Sequence, residues 1–172
     1  MTKALIQPGG HSQDELKILF QRADEQWEAG NLRSAFRLFL AAAEGGEPGC
    51  QVNIGTFYSE GLGVKKDIPS ALYWYRRAYR RGIASAANNI GCVYRDEGKL
   101  KRALAWFGRA VELGDIEANL EIGKIYLKRN DMRNAKYHLA QVSKASAGRV
   151  TEASRENAQG LLKECDRRDE RS

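Results

Sequence analysis

Few residues of this chain could carry out chemistry, and their spacing does not support it. The sequence contains two histidines and three cysteines. His11 lies in a predicted loop and His138 in a predicted helix, far apart in the chain. Cys50, Cys92 and Cys165 are also widely separated, which fits neither a disulfide framework nor a zinc site. We therefore predict no metal site, and we expect the cysteines to be reduced thiols in packed or surface positions.

Catalytic and cofactor-binding motifs are also missing from the sequence. No His-Glu-x-x-His, Cys-x-x-Cys or phosphate-loop pattern occurs. The segment Gly61-Leu62-Gly63 lacks the third glycine and the preceding strand of a dinucleotide-binding turn. Acidic residues are abundant, but no pair of them is marked as a general acid and a general base. We therefore predict that the protein is not an enzyme and takes no cofactor and no small-molecule substrate.

The strongest signal is an internal repeat. The segment Asn53–Gly61 returns in altered form at Asn89–Gly98 and again at Glu121–Tyr126. The glycines of these copies are spaced by 36 and 32 residues, at Gly55, Gly91 and Gly123. A second motif follows each copy and also occurs once before the first, and its first alanines stand at Ala35, Ala71, Ala103 and Ala135. A period of about 20–50 residues indicates a stack of supersecondary units.

Within each copy the apolar residues recur three, four and seven positions apart, which is the spacing of one helical face. The sequence predicts helices at about 12–29, 32–44, 48–60, 68–81, 84–97, 99–113, 116–129, 131–144 and 150–168. Ser12 and Glu15 form a capping box, and Pro69 falls in the first turn of its helix. Gly82 and Gly114 follow helix ends, where a left-handed residue is common.

The repeated glycines predict close contact between helices. Glycine inside a helix costs about 1 kcal/mol relative to alanine, so its recurrence at one repeat position needs a reason. Two helix axes near the short end of the packing range require a small residue where they cross. We therefore expect Tyr75, Phe107 and Leu139 to fill the space beside Gly55, Gly91 and Gly123.

These motifs resemble known helical repeats. The pattern Ile-Gly-x-x-Tyr followed by Ala-x-x-x-aromatic and Ala resembles the tetratricopeptide repeat. The loop Gly61–Asp67 and the run Ala71–Ala78 are similar to the related Sel1-like repeat. The resemblance covers about residues 16–143 and implies an all-α fold, a right-handed α-solenoid of four helix-turn-helix repeats with a C-terminal capping helix. The predicted organisation is a flexible leader at 1–11, repeats at about 12–46, 47–82, 83–114 and 115–146, and a capping helix and tail at 147–172.

The resemblance also implies a binding face. In these families the first helix of each repeat lines the inner surface. Carried over by repeat position, the expected partner-binding residues are Phe20, Asp24, Trp27, Val52, Thr56, Ser59, Asn88, Cys92, Arg95, Leu120, Lys124 and Leu127. Their mixed character suits a protein partner with apolar anchors inside a polar rim. Trp27 is the natural anchor, although the stripe of Leu16, Phe20, Ala23 and Trp27 favours a core position for it.

The charge distribution indicates what kind of partner fits. The net charge is +6. Residues 1–60 carry 5 basic and 8 acidic side chains, residues 61–148 carry 17 and 8, and the remainder carries 6 and 6. A basic middle segment beside an acidic start favours an acidic or dipolar partner, and we expect a protein with an acidic surface.

The predicted function is a non-catalytic module that binds one specific protein. By family analogy, it is a bacterial immunity protein that neutralises a toxin or effector, or a secretion chaperone or adaptor of tetratricopeptide type. No stretch approaches the roughly 18 apolar residues of a membrane span, and Pro8 interrupts any signal-peptide core. We therefore expect no membrane insertion and a cytoplasmic location.

The alternative of another class is nucleic-acid binding through the basic middle segment. The run Tyr73–Arg81 interleaves aromatic residues with arginines, which is typical of a surface that stacks bases and binds phosphates. However, Trp74 and Tyr75 occupy repeat positions that are expected to be buried. The packing interpretation is therefore favoured, with the arginines as a solvated face.

Overall fold

The computed structural model describes residues 12–146 and 148–170, and within these residues it contains nine α-helices and no strand. The helices are α1 Gln13–Glu28, α2 Leu32–Glu44, α3 Pro48–Glu60, α4 Ile68–Tyr79, α5 Ala84–Asp96, α6 Leu100–Glu112, α7 Ala118–Lys128, α8 Met132–Ser143 and α9 Glu152–Asp169. Every predicted helix is present, and each end lies within two residues of its predicted position. The all-α prediction is confirmed. The predicted leader and His11 lie outside the described residues, and the repeat boundaries stay a prediction.

The helices are grouped in two compact units. The first unit ends at Ile83 and contains α1–α4, and the second begins at Ala84 and contains α5–α9. In the first unit α1 packs on α2, α2 on α3 and α3 on α4. In the second unit α5 to α8 also pack in chain order, and α9 packs on α8 and α7. Each unit therefore contains two helix pairs, and the second unit adds α9.

The repeat glycines are the points where paired helices touch. A Cβ atom added to them would overlap a side chain of the next helix: 2.4 Å from Tyr75 at Gly55, 2.6 Å from Phe107 at Gly91 and 2.7 Å from Leu139 at Gly123. All three of these partner side chains are buried. The predicted role of the glycine positions in close helix contact is thus confirmed.

Left-handed residues end the helices, as the sequence predicts. Gly82 and Gly114 have φ of 82° and 96°. The turn after α5 has Gly98 at φ 72°, and the equivalent turn after α7 has Asn130 at φ 60°. This conformation costs an ordinary residue about 1–2 kcal/mol, but asparagine tolerates it. Asn130 therefore preserves a turn that glycine forms in the preceding repeat.

The C-terminal helix covers the apolar face of α8. Thr151 caps α9 by accepting a hydrogen bond from the Ser154 amide at 3.2 Å. Ala158 and Cys165 are fully buried and belong to one apolar cluster with residues of α7 and α8. At the edge of this contact, Lys136 Nζ pairs with Asp166 at 2.8 Å and also with Asp169. The otherwise polar α9 thus shields the last helix pair from water.

Candidate functional site

The second unit carries a groove of about 360 Å³ that combines charged and apolar side chains. Its lining residues are Arg95, Leu100, Glu121, Lys124, Ile125 and Lys128. The last four lie on α7 at the spacing that places residues on one helical face. Arg95 comes from the last turn of α5 and Leu100 from the first turn of α6. We call this surface the basic groove.

Glu121 binds two cations of the basic groove. Its Oε1 accepts a hydrogen bond from Lys124 Nζ at 2.8 Å, and its Oε2 accepts one from Arg95 Nη1. Lys124 lies three residues further along α7, whereas Arg95 reaches Glu121 from α5, 26 positions away in sequence. Arg95 also donates from Nε to Asp96 Oδ1 at 2.9 Å. These contacts link α5 to α7 and bring two positive groups to one carboxylate.

The helix ends favour this arrangement of charges. Arg95 lies in the last turn of α5 and Glu121 in the first turn of α7, the ends at which a cation and an anion are stabilised. Burial raises the pKa of Glu121, but the hydrogen bonds and charges of Lys124 and Arg95 outweigh it, so that the pKa lies below its ordinary value. The Glu121 side chain is only 18% exposed. Glu121 is therefore ionised at neutral pH and partly shielded from solvent.

A second recess, of about 520 Å³, shares Leu100 with the basic groove. Its other lining residues are Gly98, Lys99, Lys101, Arg102 and Arg129. Together the described linings of the two recesses contain seven cationic side chains and one acidic one, Glu121. Part of the positive charge is offset, because Lys99 also pairs with Glu97 at 2.9 Å. The excess is still large enough to attract anionic groups.

The structure brings three predicted binding residues to this site. Arg95 and Lys124 line the basic groove. Cys92 lies next to them, and burial raises the pKa of its thiol although the charge of Arg95 lowers it. Asn88 is half-buried, and its side chain donates a hydrogen bond to Asp115. Among the described residues, the Asn88 Oδ1 atom has no hydrogen-bond partner.

Two other predicted residues of the second unit are part of its core. Leu120 and Leu127 are 7% and 6% exposed. They share an apolar cluster with Val150, Ala158 and Cys165 of the C-terminal segment. Because the segment that contains α9 packs over this region, we leave both leucines out of the proposed binding surface.

Sequence reasoning missed most of the groove. It selected Leu120, Lys124 and Leu127 on α7, whereas the groove uses the neighbouring face with Glu121, Ile125 and Lys128. The signal was present in three charged residues and one apolar residue spaced three or four positions apart, at 121, 124, 125 and 128. It could have been recognised as one partly exposed, charged face of α7.

In the first unit, the predicted aromatic residues pack against the core. The Trp27 ring lies edge-on to Phe39 and Phe57, with centroids 6.0 and 4.8 Å apart. Phe20 makes a similar contact with Phe39 at 6.0 Å. Both Phe20 and Trp27 are half-buried beside the buried cluster of this unit. The Trp27 ring therefore packs against the core, as the stripe favours, while part of its surface stays exposed.

The other predicted residues of the first unit are polar or small. Thr56 Oγ1 and Ser59 Oγ each lie 3.1 Å from the Tyr75 hydroxyl. Asp24 and Val52 are half-buried, and burial, followed by the charge of Glu28, raises the pKa of Asp24. Thr56 and Ser59 therefore form hydrogen bonds within the unit, and all four side chains are only partly exposed.

The aromatic and basic run on α4 is a packed helix with one arginine-rich face. Trp74 and Tyr75 are 7% and 2% exposed, so neither ring is open for stacking on a base. The Arg77 guanidinium lies over the Trp74 ring at 5.0 Å and near the Tyr73 ring at 5.9 Å. Tyr73 is 54% exposed. The predicted burial of Trp74 and Tyr75 is confirmed.

The remaining candidates for chemistry are held in structural contacts. His138 Nδ1 lies 2.8 Å from Asn119 Oδ1, an acceptor, so Nδ1 carries the hydrogen. The His138 ring stacks on Tyr126 at 5.8 Å. Cys50 and Cys165 are buried free thiols. Within the residues that the structure describes, no group of three or more His, Cys, Asp or Glu side chains is arranged to hold a metal ion.

Helix pairs in contact at small residues define a helical-repeat protein of the α-solenoid class. Residues 28–47 and 48–83 match the Sel1 repeat, and residues 84–113 match a tetratricopeptide repeat. The resemblance drawn from the motifs is thereby confirmed: the chain carries repeats of the Sel1 and tetratricopeptide families. No curated protein matches the chain in sequence.

Solved structures share the fold. The chain is similar to a Sel1 repeat protein from Oxalobacter formigenes, with a TM-score of 0.68 and 24% identity over 92% of this chain and 66% of that one. It is also similar to c5321, a protective antigen of uropathogenic Escherichia coli strains with an SLR fold, with a TM-score of 0.69 and 22% identity over 86% of this chain and 32% of that one. The chain thus spans just under two thirds of the first protein and about one third of the second.

Repeats of these two families indicate a protein–protein interaction module in general terms. They are typically non-catalytic scaffolds. None of the described helices has both the length and the apolar character needed to cross a membrane.

Proposed function

We propose that this protein is a non-catalytic binder of one specific protein partner, and that the basic groove receives an acidic segment of that partner. The observation that carries the proposal is the convergence of seven cationic side chains on two adjoining recesses whose linings include one acidic residue, Glu121 of the basic groove. Leu100 lies among these charges and is partly exposed, whereas Ile125 at the base of the groove is only 4% exposed. An acidic segment with an apolar side chain would meet both kinds of contact.

The chemistry of the groove favours carboxylates. Arginine and lysine form short, charge-assisted hydrogen bonds with them, stronger than neutral ones. Apolar contacts inside a polar rim are common in protein interfaces, and complementary charge speeds association. In the first unit, the half-buried Asp24, Val52, Thr56 and Ser59 remain proposed contact residues.

Two cellular roles fit a binder of this kind. The first is neutralisation of a toxin or effector by an immunity protein, and the alternative is escort of a secreted protein by a chaperone or adaptor. In both roles the partner supplies the acidic segment, and the identity of the captured protein separates them.

The test is affinity capture from the native host with the tagged full chain, followed by mass spectrometry. The groove variant is the double change Arg95→Gln and Lys124→Gln. Its control is Lys144→Gln with Lys163→Gln, which removes the same charge from exposed positions outside the two linings. We expect one dominant protein with an acidic segment, retained by the control and lost by the groove variant.

Other outcomes would overturn the proposal. Equal capture by both double variants would show that the basic groove is not the binding site. Recovery of RNA or DNA with strongly salt-dependent affinity would assign the cationic surface to nucleic acid. Substrate turnover abolished by a single substitution would make the protein an enzyme.

A further inference from the structure

The structure assigns to Glu121 the role of an internal competitor, which binds Arg95 and Lys124 in place of a ligand carboxylate. The inference rests on the proposed function and specifies it: Glu121 occupies the position in which a side-chain carboxylate of the acidic partner would bind Arg95 and Lys124. Glu121 would therefore lower the affinity of the groove and select segments with several acidic residues.

The geometry of the carboxylate supports this role. Each Glu121 oxygen is used by a different cation, and the two cations come from different helices. This is the environment that an incoming glutamate or aspartate would need. Glu121 already occupies this environment, in the wall of an open groove.

Arg95 already binds two carboxylates of its own chain. Its Nε and Nη2 atoms each lie 2.9 Å from Asp96 Oδ1, and its Nη1 donates to Glu121. A ligand carboxylate must replace one of these internal partners before it can bind the guanidinium directly. Asp96 is 68% exposed and is solvated, whereas Glu121 is 18% exposed and lies in the groove itself. Glu121 is therefore the partner with which a ligand in the groove competes.

Electrostatic repulsion adds to the competition for hydrogen bonds. A second carboxylate within about 4–6 Å of an ionised one is disfavoured. Replacing Glu121 with glutamine removes this charge and keeps a side chain of the same size with an amide oxygen that can still accept from Arg95 or Lys124. For this reason Glu121→Gln separates competition from a purely structural link between α5 and α7.

The experiment measures fluorescence anisotropy of a labelled ten-residue synthetic peptide with five glutamates separated by glycine and leucine, bound by the full chain at low and at moderate salt. Glu121→Gln should bind about five- to tenfold more tightly than the wild type, because one repulsive charge is lost at close range. Glu121→Asp, which keeps the charge, should stay within about twofold of the wild type. Glu156→Gln removes an equal charge from exposed α9 and should also stay within about twofold. Thermal unfolding of each variant confirms that it is folded.

The outcomes separate this inference from the proposed function. If Arg95→Gln and Lys124→Gln weaken binding while Glu121→Gln binds no more tightly than the wild type, the groove is the site but Glu121 is not a competitor. If Glu121→Gln binds more weakly, Glu121 positions the two cations and the inference is wrong. If all variants bind equally, or if neither the wild type nor Glu121→Gln binds the peptide, the proposed acidic-segment site itself is overturned.

Discussion

Replacing Gly91 with alanine tests the contact on which the repeat packing depends. Gly91 lies on α5 against Phe107 of α6. A Cβ atom at this position would be 2.6 Å from ring atoms Cδ1 and Cε1 and 3.0 Å from Cγ. Phe107 is fully buried, so its ring cannot turn into solvent to make room. The added methyl group therefore has to push α5 and α6 apart or distort the ring.

The expected magnitude is the difference between two effects. Alanine is a better helix former than glycine by about 1 kcal/mol. Overpacking a core costs about 1–3 kcal/mol, and the short contacts to a rigid ring place this case near the upper end. The net loss in free energy of unfolding is then about 2 kcal/mol. For a chain of this size it corresponds to a fall in Tm of about 4–8 °C.

The matched control is Gly108→Ala on α6, where an added Cβ atom meets nothing within 4 Å. This change should gain the helix-propensity term alone and stabilise the protein by up to about 1 kcal/mol. Urea titration and thermal unfolding, both followed by circular dichroism, give the two free-energy changes. A Gly91→Ala protein as stable as the wild type, or stabilised as Gly108→Ala should be, would refute the close-contact interpretation.

A double change tests the same contact independently of propensity. Phe107→Leu shortens the side chain that the new methyl group would strike. We expect Gly91→Ala to cost at least about 0.5 kcal/mol less in the Phe107→Leu background than in the wild type, since neighbouring residues are non-additive. Simple additivity would indicate that Phe107 does not limit the space at Gly91.

Three further predictions concern individual contacts. Tyr75→Phe removes a hydroxyl that lies 3.1 Å from both Thr56 and Ser59, so urea unfolding should show a loss of about 1 kcal/mol; no change would mean that these contacts do not contribute. Asn130 has φ 60°, so Asn130→Ala should lower stability by about 1 kcal/mol in thermal unfolding while Asn130→Gly does not, and an equal effect of both would contradict the backbone argument. Burial lowers the pKa of His138 from its ordinary 6.5, so the stability due to the neutral imidazole is present above about pH 6.5 and is lost as the pH falls through the folded-state pKa. The free energy of unfolding should therefore fall more between about pH 7.5 and about pH 5.5 in the wild type than in His138→Gln, and parallel curves would be the contrary result.

The sequence was sufficient for the helices because their signals are local. The capping box at Ser12, the left-handed glycines at Gly82 and Gly114 and the apolar spacing each act within a few residues of the chain. The repeat glycines add a longer-range signal. A glycine that recurs once per repeat inside a helix has a cost that only a neighbouring helix can offset, and this reasoning identified the Phe107 contact.

The candidate site was predicted only in part. Arg95 and Lys124 were selected by repeat position, but Glu121 was not, although it binds both of them. A repeat position gives the average orientation of a helix in a family. A difference of one position on α7 separates buried Leu120 from Glu121 in the groove wall, and Leu120 packs in one apolar cluster with residues of α8 and the C-terminal segment.

The sequence by itself determined that this chain forms paired helices with contacts at small residues, because periodicity, caps and glycine positions are properties of neighbouring residues. Only the tertiary structure decided which polar side chains converge. Arg95 and Glu121 are 26 positions apart, and they meet because α5, α6 and α7 pack in succession and turn one face of α7 towards the end of α5. The direction of a side chain across such a distance depends on the packing of every helix between, which no local pattern specifies.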